Sequence, residues 1–94
     1  QQSWRLAEGL GRMLIGRSDD SDILVANPYV SRMHAYLEWQ EDAWHVFAIS
    51  EQQIVVDGRK IRALRLEPGT VFRLGSNGCH MRFSSVVVDE FDTS

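Results

Sequence analysis

Apolar and polar residues alternate along most of the chain, and this pattern predicts strands almost throughout. Residues 3–7 alternate in this way, and so do residues 34–39, where Ala35, Leu37 and Trp39 fall on one face. A period of two residues is typical of half-buried strands. No stretch shows the longer period of an amphipathic helix. The pattern therefore predicts an all-β chain.

Shorter apolar runs predict the remaining strands. Gly16 ends the run at residues 12–15, and Pro28 interrupts strand pairing after the run at residues 23–25. Trp44 and Val46 fall on one face of another run and Phe47 on the opposite face, so this run is predicted to be a central strand. The predicted strands of this kind are residues 12–15, 23–25, 44–49, 54–56, 59–61, 71–74, 79–83 and 86–88.

Turn residues separate these runs at short, regular intervals. Asp57-Gly58 between β-branched runs predicts a two-residue hairpin turn with positive φ. Pro68-Gly69 at the centre of a second turn favours type II. Many short strands joined by such turns predict a two-sheet β-sandwich of short antiparallel strands, with no major helix.

Length, charge and cysteine content narrow the possible functions. The chain has 94 residues, which predicts one domain, and a net charge of −3, which argues against nucleic acid as a partner. No apolar run is long enough to span a membrane, so no membrane contact is predicted. Cys79 is the only cysteine, so no internal disulfide is possible. Residues 18–22 are rich in aspartate but lack the glycine and the distal glutamate of an EF-hand, so neither a metal nor a cofactor is predicted.

The ends of the chain suggest a fragment of a longer protein, because residue 1 is Gln and no signal peptide opens the sequence. We expect the domain to span residues 1–88 and an acidic tail, or the start of a linker, to span residues 89–94. A single unpaired cysteine favours a cytoplasmic location, or a nuclear one in a eukaryote, and attachment of the parent protein to a membrane is left open.

Arg17, Ser31 and Arg32 carry the clearest candidate chemistry. Arginine presents planar donors suited to a carboxylate or a phosphate, and serine adds a hydroxyl. From the residues alone, two ordinary surface arginines and a turn serine remain an alternative. The tryptophans Trp39 and Trp44 have two possible interpretations, an aromatic binding site or a pair that packs across a hairpin. Their position on either side of a predicted hairpin turn favours packing.

Three segments in a fixed order resemble the forkhead-associated (FHA) domain. They are Ile15-Gly16-Arg17, Asp22-Ile23 and the run Val30-Ser31-Arg32-Met33-His34. The resemblance continues in residues 47–50, 56–58, 66–69 and 72–75. It implies a β-sandwich that binds phosphothreonine-containing proteins or peptides through loops at one end and acts in signalling.

The resemblance also assigns roles to individual residues. It implies that Arg17 and Ser31 bind the phosphate, that Arg32 can reach it, and that Gln52 and Glu51 stand where the family contacts the peptide and the phosphate. It implies structural support of the loops by Gly16, His34, Asp57 and Gly58.

The recognition loop departs from the family pattern. Glu51, Gln52 and Gln53 stand where the family usually has Thr, Asn and Gly. A carboxylate has no hydrogen to donate to a phosphate and repels it. The alternative is therefore a phospho-independent scaffold that assembles a larger complex, such as a secretion system, through other domains of the same longer chain or through other proteins.

Catalysis has little support in the sequence. Ser31 and His34 are three residues apart, but no third orienting group and no oxyanion motif accompany them. We therefore predict a binding module and not an enzyme.

Overall fold

A computed structural model describes residues 2–7, 9 and 11–91. This part of the chain contains eleven strands and no α-helix. The strands are β1 (Ser3–Arg5), β2 (Arg12–Gly16), β3 (Ile23–Leu24), β4 (Ala35–Gln40), β5 (Ala43–Ala48), β6 (Ile54–Val56), β7 (Arg59–Ile61), β8 (Ala63–Arg65), β9 (Val71–Leu74), β10 (His80–Ser84) and β11 (Val87–Phe91).

The strands form two sheets, which confirms the predicted fold class. The first sheet has the order β1-β11-β10-β9-β6-β7, and the second has the order β3-β2-β4-β5-β8. β5 lies between β4 and β8, as its two apolar faces predicted. Within the described residues, no helix is long and apolar enough to cross a membrane, and no group of three His, Cys, Asp or Glu residues is arranged to hold a metal ion.

One strand pair departs from the antiparallel prediction. β3 runs parallel to β2, with Ile15 opposite Ile23. The pair is short, and bonds beyond the ladder hold it in place: the Asp22 carboxylate accepts the Leu14 N–H at 2.8 Å, and Val25 N–H donates to Gly16 O at 2.9 Å. A side chain therefore replaces part of the missing ladder.

The hydrophobic core fills the space between the two sheets. Alternate residues of each strand point inwards, as the pattern of Ala35 and Leu37 predicted, and both are fully buried. Trp39, on the same face, lies near the end of the sheet and is only half-buried. Other fully buried core residues are Ile15, Ile23, Val46, Ile54, Leu74, Met81 and Val88.

Both predicted turns are present. Asp57 has φ 50° and Gly58 has φ 79°, so both central residues of the β6–β7 hairpin are left-handed, as a type I′ turn requires. Gly69 has φ 92°, and Thr70 N–H donates to Glu67 O at 2.8 Å, in agreement with a type II turn.

The last strand extends further than the sequence predicted. An acidic tail was expected from Asp89, but β11 continues to Phe91 and pairs with both β1 and β10. The polar side chain of Asp89 is accommodated because it accepts the Ser3 hydroxyl at 2.6 Å and lies 3.5 Å from the guanidinium of Arg82. The rest of the predicted tail, residues 92–94, lies outside the described residues.

The Gly58 turn provides a test of the hairpin. We expect Gly58→Val to lower the free energy of unfolding by about 1–2 kcal/mol, because a β-branched residue resists a left-handed conformation. An added Cβ would meet nothing within 4 Å, so steric clash does not contribute. Gly58→Asn is the control and should cost less, because asparagine tolerates positive φ. Urea unfolding of both variants measures the difference, and equal stability of the Val variant and the parent would contradict the assigned turn.

Candidate functional site

Four loops converge at one end of the sandwich and enclose a cleft. The cleft has a volume of about 310 Å³ and lies between Arg17, Ser31, Gln52 and Asn77. Pro28, Tyr29 and Val30 complete its lining. The sheet topology brings these loops together, because the ends of β2, β5 and β9 all reach this end of the fold.

Close backbone approach joins the two loops that carry the predicted phosphate ligands. Arg17 N–H donates to Ser31 O at 3.1 Å, and Ser18 N–H donates to Arg32 O at 3.0 Å. A Cβ on Gly16 would overlap the carbonyl group of Arg32. Glycine is therefore needed at this position because another backbone passes so close to it.

The guanidinium of Arg17 is exposed but oriented. Its Nε–H donates to Val30 O at 3.0 Å, in the loop that also carries Ser31. Its terminal amino groups have no hydrogen-bond partner among the described residues. This arrangement gives the cleft a fixed positive charge with donors left for an anion.

A pair of hydroxyl groups connects the two sides of the cleft. Ser31 Oγ lies 2.7 Å from Ser50 Oγ, and Ser50 Oγ accepts the Gln52 N–H at 3.0 Å. When Ser50 is the donor to Ser31, the Ser31 hydroxyl keeps its own hydrogen for a ligand. Ser50 thereby positions both Ser31 and Gln52.

His34 lies beneath the cleft and is fully buried. Its Nδ1 accepts the Ser31 N–H at 3.1 Å, and its Nε2 lies 2.7 Å from Gln53 O. These contacts require the neutral tautomer with the hydrogen on Nε2, which donates to the carbonyl. Burial lowers the pKa of His34, and the bond to the Gln53 carbonyl opposes this only in part.

Gln53 itself is left-handed, with φ 60°. It stands where the FHA pattern has glycine, the residue that adopts this conformation without strain. Gln53 N–H donates to Ser50 O at 3.0 Å, so the turn is closed despite the side chain. The loop therefore keeps a glycine-like backbone with a residue other than glycine.

The structure brings only some of the predicted site residues to the cleft. Arg17, Ser31 and Gln52 line it, whereas the exposed side chains of Arg32 and Glu51 do not. Arg32 contributes through its backbone carbonyl. Among the predicted supporting residues, Gly16 and His34 contact the site loops directly. Asp57 and Gly58 form the β6–β7 turn and do not line the cleft.

Asn77 is a site residue that the sequence pattern did not reveal. It lies in the turn between β9 and β10, which the sequence pattern leaves as a short connection between two predicted strands. Gly78 fixes this turn, because a Cβ there would overlap the carbonyl group of Leu74. The exposed amide in an Asn-Gly turn was the only signal, and tertiary structure alone places it beside Gln52.

The buried neutral His34 makes stability depend on pH. Because its pKa is lowered in the folded state, the unfolded chain takes up a proton first as the pH falls. The contribution of neutral His34 to the free energy of unfolding is complete above pH 6.5, the ordinary histidine pKa. It is lost as the pH falls towards the lower pKa of His34 in the folded state. We expect a slope of up to about 1.4 kcal/mol per pH unit in that window.

Urea unfolding between neutral and mildly acidic pH measures this slope. His34→Gln should remove it, and His45→Gln, on the outer face of the second sheet, is the matched control and should retain it. A His34→Gln variant with an unchanged slope would show that another group is responsible.

Comparison with known proteins identifies relatives of this chain. The model of the FHA domain family matches residues 13–75. The FHA domain-containing protein FhaB of Mycobacterium tuberculosis is 33% identical over 72 residues, which cover 74% of this chain and 46% of that protein. The chain thus spans about half the length of the curated relatives it matches.

Solved structures show the same fold. The FHA-2 domain of a Mycobacterium tuberculosis ABC transporter superposes with a TM-score of 0.73 at 25% identity, covering 89% of this chain and 77% of that one. An FHA domain from a structural and functional study of phosphothreonine-dependent interactions superposes with a TM-score of 0.70 at 27% identity, covering 79% and 76%. The two-sheet sandwich, the order of its motifs and the family match lead to one conclusion: this chain belongs to the FHA domain family of protein interaction modules.

Proposed function

We propose that this domain binds a phosphothreonine-containing segment of a partner protein in the cleft between Arg17, Ser31 and Gln52. One observation carries the proposal. The Arg17 guanidinium is held by Val30 O at the same cleft that the Ser31 hydroxyl borders. A fixed cation beside a hydroxyl donor is the arrangement that a phosphate requires.

The polarity of the cleft suits a phosphorylated side chain. A phosphothreonine carries close to two negative charges and only acceptor oxygens. The lining of the cleft contains one cation and no carboxylate, although the whole chain is acidic. Glu51 was expected to repel a phosphate. Its carboxylate is exposed and outside the lining, so this repulsion is weaker than the sequence suggested.

The two amides at the cleft supply contacts for a peptide backbone. Gln52 and Asn77 reach the cleft from different loops, and each amide offers both donors and an acceptor. The solved relative studied for phosphothreonine-dependent interactions supports this class of ligand. The partner is a protein phosphorylated in a signalling pathway, on the cytoplasmic or nuclear side where kinases use ATP.

A phospho-independent scaffold is the second candidate, and residues 51–53 favour it. Glu51 and Gln52 replace the Thr and Asn of the family pattern, and Gln53 retains a left-handed backbone without glycine. In this case the domain joins parts of a larger complex and the Arg17 cleft stays unused. Comparing phosphorylated and dephosphorylated peptides separates the two candidates.

Arg17→Ala should weaken binding of a phosphothreonine peptide by roughly 1.5–3 kcal/mol, about ten- to 150-fold, because a charge-assisted contact is lost. Calorimetric titration with peptides selected from a degenerate phosphothreonine library measures the change. Arg59→Ala is the control, since Arg59 is also exposed but does not line the cleft. Equal affinity of the Arg17→Ala variant and the parent would contradict phosphate binding at this cleft.

The double variant Glu51→Thr, Gln52→Asn should bind the same peptides more tightly, by roughly 1–2 kcal/mol. The change removes an exposed negative charge from the loop that borders the cleft, and it restores a shorter amide and a hydroxyl donor. Because Glu51 is exposed, the gain should shrink at high salt, so the titration is run at two salt concentrations. Weaker binding by the double variant would show that the recognition loop is already adapted to its ligand.

A further inference from the structure

A second cleft lies at the opposite end of the sandwich from the Arg17 cleft. The β4–β5 turn, the segment that follows β8 and the end of β10 enclose a volume of about 390 Å³. Its size falls in the usual range of ligand sites, roughly 300–1,000 Å³. We name it the Trp39 cleft, after the residue that forms its open wall. Its lining includes the aromatic residues Trp39, Trp44 and Phe83 and the charged residues Asp42, Arg65 and Glu67.

Aromatic side chains form the floor and one wall of the Trp39 cleft. Trp44 and Phe83 are 1% and 4% exposed, so core packing accounts for both. Trp39 contacts Trp44 edge to face, with ring centroids 5.7 Å apart, but remains only half-buried. Packing therefore explains only one side of Trp39, and the rest of its surface is accessible from the cleft.

The rim of the cleft carries two carboxylates, from Asp42 and Glu67, and one guanidinium, from Arg65, so its net charge is negative. Glu67 lies at 4.0 Å from Arg65, and both side chains are exposed, so this ion pair is weak. Asp42 makes no ion pair within the part of the chain that the structure describes. Glu41, next to it, is also exposed and adds a further negative charge.

Asp42 holds its position at a conformational cost. Glu41 and Asp42 have φ values of 53° and 61°, so the β4–β5 turn places two consecutive left-handed residues without glycine. This conformation is unfavourable for residues with a Cβ, although less so for aspartate than for most others. Glycine would relieve the cost at either position, but it would remove the carboxylate from the rim.

A buried donor beneath the cleft has no partner. The indole Nε1 of Trp44 is buried and forms no hydrogen bond. Unpaired buried donors are rare in folded proteins, and each one calls for an explanation. An acceptor brought by a ligand would provide one.

We propose that the Trp39 cleft binds an arginine side chain in a segment of a partner protein. The guanidinium stacks on the accessible face of Trp39 and donates to the Asp42 carboxylate, and the neighbouring peptide carbonyl accepts the Trp44 N–H. Arginine fits better than lysine because its planar group stacks on aromatic rings and pairs with a carboxylate through two bonds. This site is separate from the Arg17 cleft and does not depend on phosphate binding.

The indole N–H groups provide a direct measurement. The chain has three tryptophans, and their indole signals are followed by ¹H–¹⁵N NMR during titration with acetyl-Gly-Arg-Gly-amide. We expect the signals of Trp39 and Trp44 to shift in a saturable manner, with half-saturation in the millimolar range expected for one side chain. Trp4, in β1, is the internal control and should not shift.

Matched peptides and variants isolate the recognition of charge. The same peptide with citrulline in place of arginine keeps the shape but not the charge, and should produce no saturable shift. Asp42→Asn should weaken binding of the arginine peptide roughly five- to tenfold, and it preserves the fold because asparagine accepts the left-handed conformation. Glu51→Gln, at the opposite end of the sandwich, should leave binding unchanged.

Three outcomes would overturn the proposal. They are the absence of any saturable shift with the arginine peptide, equal shifts with the citrulline peptide, and undiminished binding by the Asp42→Asn variant. Arg17→Ala should bind the arginine peptide as the parent does, so failure at this cleft is distinguishable from failure at the phosphothreonine cleft.

Discussion

The hydrogen bonds of His34 are the constraint on which the recognition end of the fold depends. This one buried residue bonds to three separate segments: its N–H donates to Ile15 O in β2, its carbonyl accepts the N–H groups of Ile49 and Ser50, and its ring joins Ser31 N–H to Gln53 O. The His34 side chain is fully buried, where an unpaired donor or acceptor is costly. The imidazole therefore connects the loop that carries Ser31 to the loop that carries Gln53.

Close backbone contact between the loops after β2 and β3 also fixes the shape of the Arg17 cleft. Gly16 allows the Arg32 carbonyl to pass where a side chain would stand, and the bonds from Arg17 N–H and Ser18 N–H then fix the two loops together. The orientation of the Arg17 guanidinium follows from this, because Val30 O is brought within 3.0 Å of Nε. The cation is thus positioned by backbone groups and not by an acidic side chain, which would compete with an anionic ligand.

The same topology produces two ends of different character. At one end, the long connections after β2, β3 and β5 form a polar cleft with a fixed cation. At the other end, the tight β4–β5 turn and the turn after β8 surround the aromatic Trp39 cleft with two carboxylates and one guanidinium. The two proposed sites therefore lie at opposite ends of one sandwich and differ in charge, and the same core supports both.

Local sequence patterns were sufficient for the fold class, for both glycine turns and for every strand except β8, because alternation and φ preferences act over a few residues. A resemblance to a family grouped Arg17, Ser31 and Gln52, and the structure brings all three to one cleft. Local patterns could not exclude Glu51 and Arg32 from the lining, find Asn77, or extend β11 past Val88, because each of these depends on which distant strand or loop lies alongside. The sequence also could not decide how far Trp39 is buried. Trp39 lies near the end of the sheet, where the core no longer covers both sides of its ring, and only the tertiary structure shows this.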